Sequence, residues 1–264
     1  IAQIGELSND RARRAIDARG LVAAPGFIDM LGQSELSILV NPHLPSKIFQ
    51  GITTEITGEG GSIAPLNLRL LSIDRAGFAQ YQVAPDWTTF SGYFSRLERQ
   101  GIGINFASYI GATQARRLVL GDGNRTPTAA ELERMQAIVR QAMQEGAVGV
   151  SSALQYAPAP YAKTEELIAL AREAAKFGGI YATHMRSEGD TIGAALDEQA
   201  DHRGVLGLNR QDQRGFAAPV RLVDRRLDIE QFLARFDEIH QRGVHPRGHA
   251  LLVADLGVRL LVEH

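Results

Sequence analysis

The chain has no cysteine. Disulfides, cysteine-ligated zinc and thiol catalysis are therefore excluded, and the redox compartment is left undetermined. It also lacks any apolar run near the ~18 residues that a membrane span requires, which argues against a membrane partner. No basic run is present and the net charge is −2, so the electrostatic footprint of a nucleic-acid binder is missing. No internal repeat or low-complexity tract interrupts the pattern. Residue 1 is Ile rather than Met, which reads as a truncated start that could have carried a leader; no secretory leader is visible in what remains, so localisation is left open with a cytoplasmic location favoured. Lysine vanishes from the last third: residues 199–264 hold none, against ten arginines and five of the seven histidines.

What is present is the make-up of an ordinary globular protein. At 264 residues, 44% hydrophobic and 22% charged, the chain has room for one barrel-sized domain of roughly 250 residues or for two smaller ones. Five short β-rich runs stand out: residues 22–30, 51–58, 104–110, 147–152 and 180–185. The second, Gly51-Ile52-Thr53-Thr54-Glu55-Ile56-Thr57-Gly58, is β-branched, alternating and bounded by glycines. Helical patterns lie between them. Thr128 and Glu131 have the spacing of a capping box, and Leu132, Met135, Val139 and Met143 follow at helical intervals. A second helix opens at Thr164 and stops at Gly178, and a third covers residues 88–99. Strands alternating with helices imply βα units and a parallel sheet.

The organisation changes near Glu198. Residues 199–226 show neither period, 227–241 suit one amphipathic helix, and 251–262 are apolar enough for a buried segment. This break is a domain boundary or a seam. A seam is the preferred reading, because no organised motif begins there.

His184 is the most informative residue. It ends an apolar run and opens the polar loop Met185-Arg186-Ser187-Glu188-Gly189. In a barrel of parallel strands, the C-terminal strand ends carry the active site. An imidazole there suits a metal ligand, and the alternative is a hydrogen-bonded core histidine. Arg186 and Ser187 share the loop. A guanidinium so placed suits a substrate carboxylate, or else pairs with Glu188 or Asp190. Tyr156, among Pro158 and Pro160, marks a rigid loop that forms a substrate wall or merely a connector. Glu55 reads as a cap or surface residue. Ser151 and Ser152 lack a G-x-S-x-G elbow or a nearby base, so serine nucleophilic chemistry has no support.

Four motifs in order give a resemblance: Ala24-Pro25-Gly26-Phe27-Ile28-Asp29, Gly51-Ile52-Thr53-Thr54, Gly149-Val150-Ser151-Ser152 and Tyr181-Ala182-Thr183-His184-Met185-Arg186-Ser187-Glu188. Over residues 1–198 the chain resembles amidohydrolases of the D-aminoacylase, N-acyl-D-amino-acid deacylase type. The resemblance implies an α/β fold, a (β/α)8 (TIM) barrel with a small β-sandwich built from both chain ends. Residues 1–23 would end the sandwich segment, 24–198 would supply barrel units one to five, and 199–264 would be a divergent remainder, leaving the barrel incomplete. It also implies metal-dependent hydrolysis of a non-peptide amide C–N bond in a small N-acyl amino acid, with zinc polarising the carbonyl and activating water.

The departures from the family pattern bear on activity. Its His-x-His pair on the first strand falls at Leu31 and Gln33, neither a good zinc ligand. Its cysteine ligand falls at about Gly60, leaving adjacent Glu59 as the carboxylate that could serve instead. The sixth-strand histidine and the catalytic aspartate have no recognisable counterpart after Glu198, so no catalytic residue is assigned. His184 and Glu59 are the expected ligands of one zinc ion, with Arg186, Ser187 and Tyr156 facing substrate. Asp29 is a lesser candidate, and Lys163, at a helix start, is a poor candidate for a metal-bridging lysine. An incomplete or non-catalytic relative, and a doubly wound α/β small-molecule binding domain, remain as rival readings.

Overall fold

The computed structural model describes residues 24–198, together with two-residue strands at Ala15–Ile16 (β1) and Leu260–Leu261 (β8), which pair antiparallel. The expectations for the rest of 1–23 and of 199–264 lie outside the described residues.

The five anticipated strands are all there. They are β2 (Phe27–Asp29), β3 (Ile52–Thr57), a third pass split into β4 (Asn105–Ser108) and β5 (Ile110–Gly111), then β6 (Gly149–Ala153) and β7 (Ile180–His184). Pairing is parallel throughout, β2-β3-β4 on one side and β5-β6-β7 on the other. Tyr109 joins the two groups. Its N–H donates to the Thr57 carbonyl at 2.8 Å, and the Val148 N–H donates to the Ser108 carbonyl at 3.0 Å. The sheet is therefore one surface.

Helices cover one face of it. Among them, α5 (Phe90–Gln100) starts where the Thr89 side chain accepts from Gly92 N–H, and it buries Phe90, Tyr93, Phe94 and Leu97. Each such side chain contributes up to ~1.5–3 kcal/mol by leaving water. Truncating Phe94 to Ala would cost roughly 3–5 kcal/mol, since the cavity term adds to the lost burial. The predicted capping box forms at the start of α7 (Ala129–Gln144), with Thr128 and Glu131 bonded reciprocally. Helix α6 (Ala112–Val119) lies before it, and α8 (Thr164–Ala175) begins at Thr164 as expected, with Lys163 as its N-cap. Met135, Val139, Leu167 and Leu170 from this layer meet Ile110 and Val150 of the sheet in one core. Four shorter helices, α1 (Ser37–Val40), α2 (Pro45–Ile48), α3 (Leu68–Ile73) and α4 (Arg75–Gln80), were not anticipated.

Glu55 corrects the surface expectation. It is fully buried, and Lys47 of α2 reaches both its Oε1 (3.1 Å) and Asp29 Oδ2 (2.6 Å). Burial pushes the Asp29 carboxyl up, but its bond to Lys47 and the Leu31 N–H outweigh this and hold it below the ordinary range. Asp29 is thus committed to fixing the exit of β2.

The sheet is strongly curled. Three strand steps separate β3 from β7, which in a flat sheet is about 14 Å at ~4.8 Å per step. Yet a side chain just past β3 touches one at the end of β7, and Ser151 on β6 bonds backbone beyond β3. The curl removes the basis for an open, doubly wound sheet and is what a barrel wall requires.

Candidate functional site

His184 is the last residue of β7, and Glu59 lies two residues past the end of β3. Nδ1 of the imidazole is 2.8 Å from Glu59 Oε1, while Nε2 is 3.1 Å from Glu188 Oε1 on the loop leaving β7. The Tyr156 ring meets the imidazole edge-on, with centroids 5.9 Å apart. The hydrogen bond to Glu59 raises the His184 pKa above its ordinary value, with partial burial opposing it and both carboxylates adding attraction. The two residues expected to share a site are in direct contact.

The loop carrying Glu59 is fastened on every side. Ser151 Oγ accepts from Gly60 N–H at 3.0 Å and donates to the Gly58 carbonyl. Gly58 N–H donates to Glu35 Oε1 at 2.9 Å, and Thr113 N–H donates to the Gly60 carbonyl at 3.0 Å. Burial raises the Glu35 pKa, against the backbone donors that bond it. Gly60 has φ +69°, and a Cβ there would stand 2.7 Å from the Ala153 Cβ. No side chain, and so no cysteine, is accommodated at this position without moving the loop.

The other expected residues sit differently. Arg186 is engaged by neighbouring protein groups. Nε and Nη2 hold Glu198 at 3.0 and 2.8 Å, and Nη1 and Nη2 donate to the Pro160 and Ala162 carbonyls at 2.9 Å each. It ties the loop after β7 to the turn that follows Tyr156. The ion-pair alternative was right in kind, but the partner is Glu198, not Glu188 or Asp190. Ser187 Oγ accepts from Gly189 N–H at 3.2 Å, a local turn. Tyr156 is largely exposed beside His184. Leu31 and Gln33 are exposed, and Leu31 N–H donates to Asp29. Ser152 bonds Tyr181 and Thr183 at 2.7 and 2.6 Å, on the opposite face from Ser151.

Imidazole and carboxylate are both good zinc donors, so the donor types fit. Their number does not reach the three that zinc sites ordinarily use: among the described residues, no group of three or more His, Cys, Asp or Glu side chains is placed to hold a metal.

No family model matches the chain. Individual relatives do. The chain is 38% identical over 204 residues to the D-aminoacylase of Alcaligenes xylosoxydans xylosoxydans, covering 75% of this chain and 41% of that one. A D-aminoacylase structure with a binuclear metal centre superposes with a TM-score of 0.69 at 37% identity, over 78% of this chain and 44% of the other. The N-acyl-D-glutamate deacylase of Bordetella bronchiseptica, complexed with zinc and a phosphonate mimic of the tetrahedral intermediate, gives 0.68 at 34% identity, over 93% and 51%. The resemblance to amidohydrolases of the D-aminoacylase and N-acyl-D-amino-acid deacylase type is thus borne out, and the chain spans about half the length of these relatives or somewhat less.

Proposed function

We propose that this chain acts as, or as part of, a metal-dependent hydrolase that cleaves the amide C–N bond of a small N-acyl amino acid. The observation that carries the reading is the contact between His184 and Glu59, 2.8 Å apart at strand exits of a curled parallel sheet. On this reading both residues are donors to one zinc ion, which when bound polarises the scissile carbonyl and makes water acidic enough to attack near neutral pH. Further donors and the catalytic carboxylate come from outside residues 24–198. Tyr156 forms one wall for the acyl amino acid, and Ser187 borders the same loop. Arg186 serves by fixing the loops rather than by touching substrate. The barrel is of the eight-stranded type, with residues 24–198 supplying its first five strands.

Leu31 and Gln33 favour a second reading, a relative that keeps the fold but holds zinc too loosely for efficient turnover. The test uses the full chain, supplied with zinc, assayed by elemental analysis and against a panel of N-acetyl-D- and N-acetyl-L-amino acids. Zinc that is lost in His184→Ala and Glu59→Gln, with turnover below the ~10 s⁻¹ of an ordinary enzyme, is the expected result. Zinc that is bound only in excess and lost on dilution, without turnover, supports the second reading. A wild-type chain that takes up no zinc overturns the first.

A further inference from the structure

The position from which relatives of this kind are expected to present a cysteine is Gly60, and it cannot carry a side chain here. A Cβ would lie 2.7 Å from Ala153 Cβ and 3.0 Å from Ala153 N, at φ +69°. The loop is pressed onto β6, and one buried hydroxyl of that strand bonds it on both sides of Glu59. Ser151 is fully buried, and its Oγ holds the residue before Glu59 through the Gly58 carbonyl and the residue after it through the Gly60 N–H. One proton donated and one accepted satisfy both bonds at once. The residue between those two anchors has little backbone freedom left, and its carboxylate lies against His184.

We infer that Ser151 is a positioning residue: from the neighbouring strand it brackets Glu59 and sets that carboxylate at His184. It is not a nucleophile, because its hydroxyl is spent on backbone and excluded from solvent. The inference rests on the proposed site but is separable from it. Groups that orient metal ligands commonly govern affinity by ~10–100-fold when removed. A group acting only through Glu59 has a further signature, which is that its removal costs nothing once Glu59 is gone.

The experiment measures zinc affinity of the full chain by competition with a chromogenic chelator. Wild type, Ser151→Ala, Glu59→Gln and the double variant form a cycle. The metal-free proteins are followed by ¹⁵N-histidine NMR, which reads the His184–Glu59 bond directly. Ser151→Ala is expected to weaken zinc at least ~10-fold, to add no loss in the Glu59→Gln background, and to move the His184 Nδ1 resonance as Glu59→Gln does. Independent, multiplying losses would overturn the inference, as would a His184 resonance unchanged in Ser151→Ala. If Glu59→Gln leaves zinc affinity intact, the proposed metal site fails, and the NMR comparison alone decides the role of Ser151. Should Ser151→Ala not fold, Gly60→Ala pushes the same loop off Ala153 of the same strand and must shift the His184 signal likewise.

Discussion

Arg116 on α6 and Glu166 on α8 form an ion pair sealed from water, with side chains 1% and 4% exposed and Nη1 2.7 Å from Oε2. Arg116 Nη2 also donates to the Gly123 and Arg125 carbonyls, pinning the loop between α6 and α7. Substituting Arg116→Met keeps most of the stem volume but strands a carboxylate in the helix layer. Breaking a buried pair in this way costs about 3–5 kcal/mol, because the remaining charge is desolvated without compensation. The two carbonyls add little, since Gly123 and Arg125 are exposed and water can replace the guanidinium. Burial already raises the Glu166 pKa, with Arg116 opposing; without Arg116 it rises further. A carboxyl whose folded pKa is raised binds its proton more readily folded than unfolded, so the deficit grows as pH rises from the acid side to neutrality. Urea unfolding of the full chain measures this, provided the denaturant slope is unchanged. The double variant Arg116→Met/Glu166→Leu should recover most of the loss, because an apolar pair of similar size has no charge left to desolvate. A single variant costing under ~1 kcal/mol, the level of an exposed pair, or a double variant no better than the single, would refute the reasoning.

Other outcomes are expected elsewhere. Arg125 holds Glu131 at a pKa of about 2 by their hydrogen bond, with the Thr128 backbone N–H assisting. Because that folded value is depressed, the capping contribution is complete above the ordinary 4.5 and is lost as pH falls towards 2; a side-chain NMR titration of Glu131 should move back towards 4.5 in Arg125→Ala. Gly60→Ala should destabilise by ~1–3 kcal/mol through overpacking and its positive φ, whereas Gly61→Ala, with open space around its Cβ, should stay within ~0.5 kcal/mol; equal effects in chemical denaturation would contradict the described loop. Arg186→Lys should accelerate amide exchange over residues 156–162 almost as much as Arg186→Ala, because an ammonium cannot hold Glu198 bidentately and reach two carbonyls as well; full protection in the lysine variant would mean the tie is not what orders that turn.

The strands were legible because β-branched runs bounded by glycine leave few alternatives, as in Ile52–Thr57. The interruption at Tyr109 was not, since it depends on which neighbour each backbone N–H finds. Helices of four to six residues, such as Pro45–Ile48, are too short to display a 3.6-residue period. Glu55 was misjudged for a related reason. Flanked by Thr53 and Thr57, it reads as a water-facing position, and its burial follows from Lys47, carried in by one of those unread helices. The His184–Glu59 contact was accessible from sequence because both sit at strand exits, and parallel βα units gather such exits at one end. The Ser151 tether and the Glu198 partner of Arg186 link residues through geometry that no local pattern announces. The signal that could have found the tether was the run Gly58-Glu59-Gly60-Gly61, whose glycines ask what backbone or neighbour approaches so closely.

The contact between His184 and Glu59 joins residues 125 apart in the chain. Closing a loop of that length from a disordered chain costs about 4 kcal/mol in entropy on the (3/2)RT ln n scaling, more than one hydrogen bond returns. It can therefore not lead folding. Helices α5, α7 and α8 can begin to form from neighbours in sequence, and each parallel pairing then shortens the remaining search, until β7 arrives with its ends already close to those of β3. On a ribosome, nothing of the pair exists before residue 184 has emerged. Its formation marks the end of assembly of this half of the sheet, so a probe at His184 would date the last step of folding rather than the first.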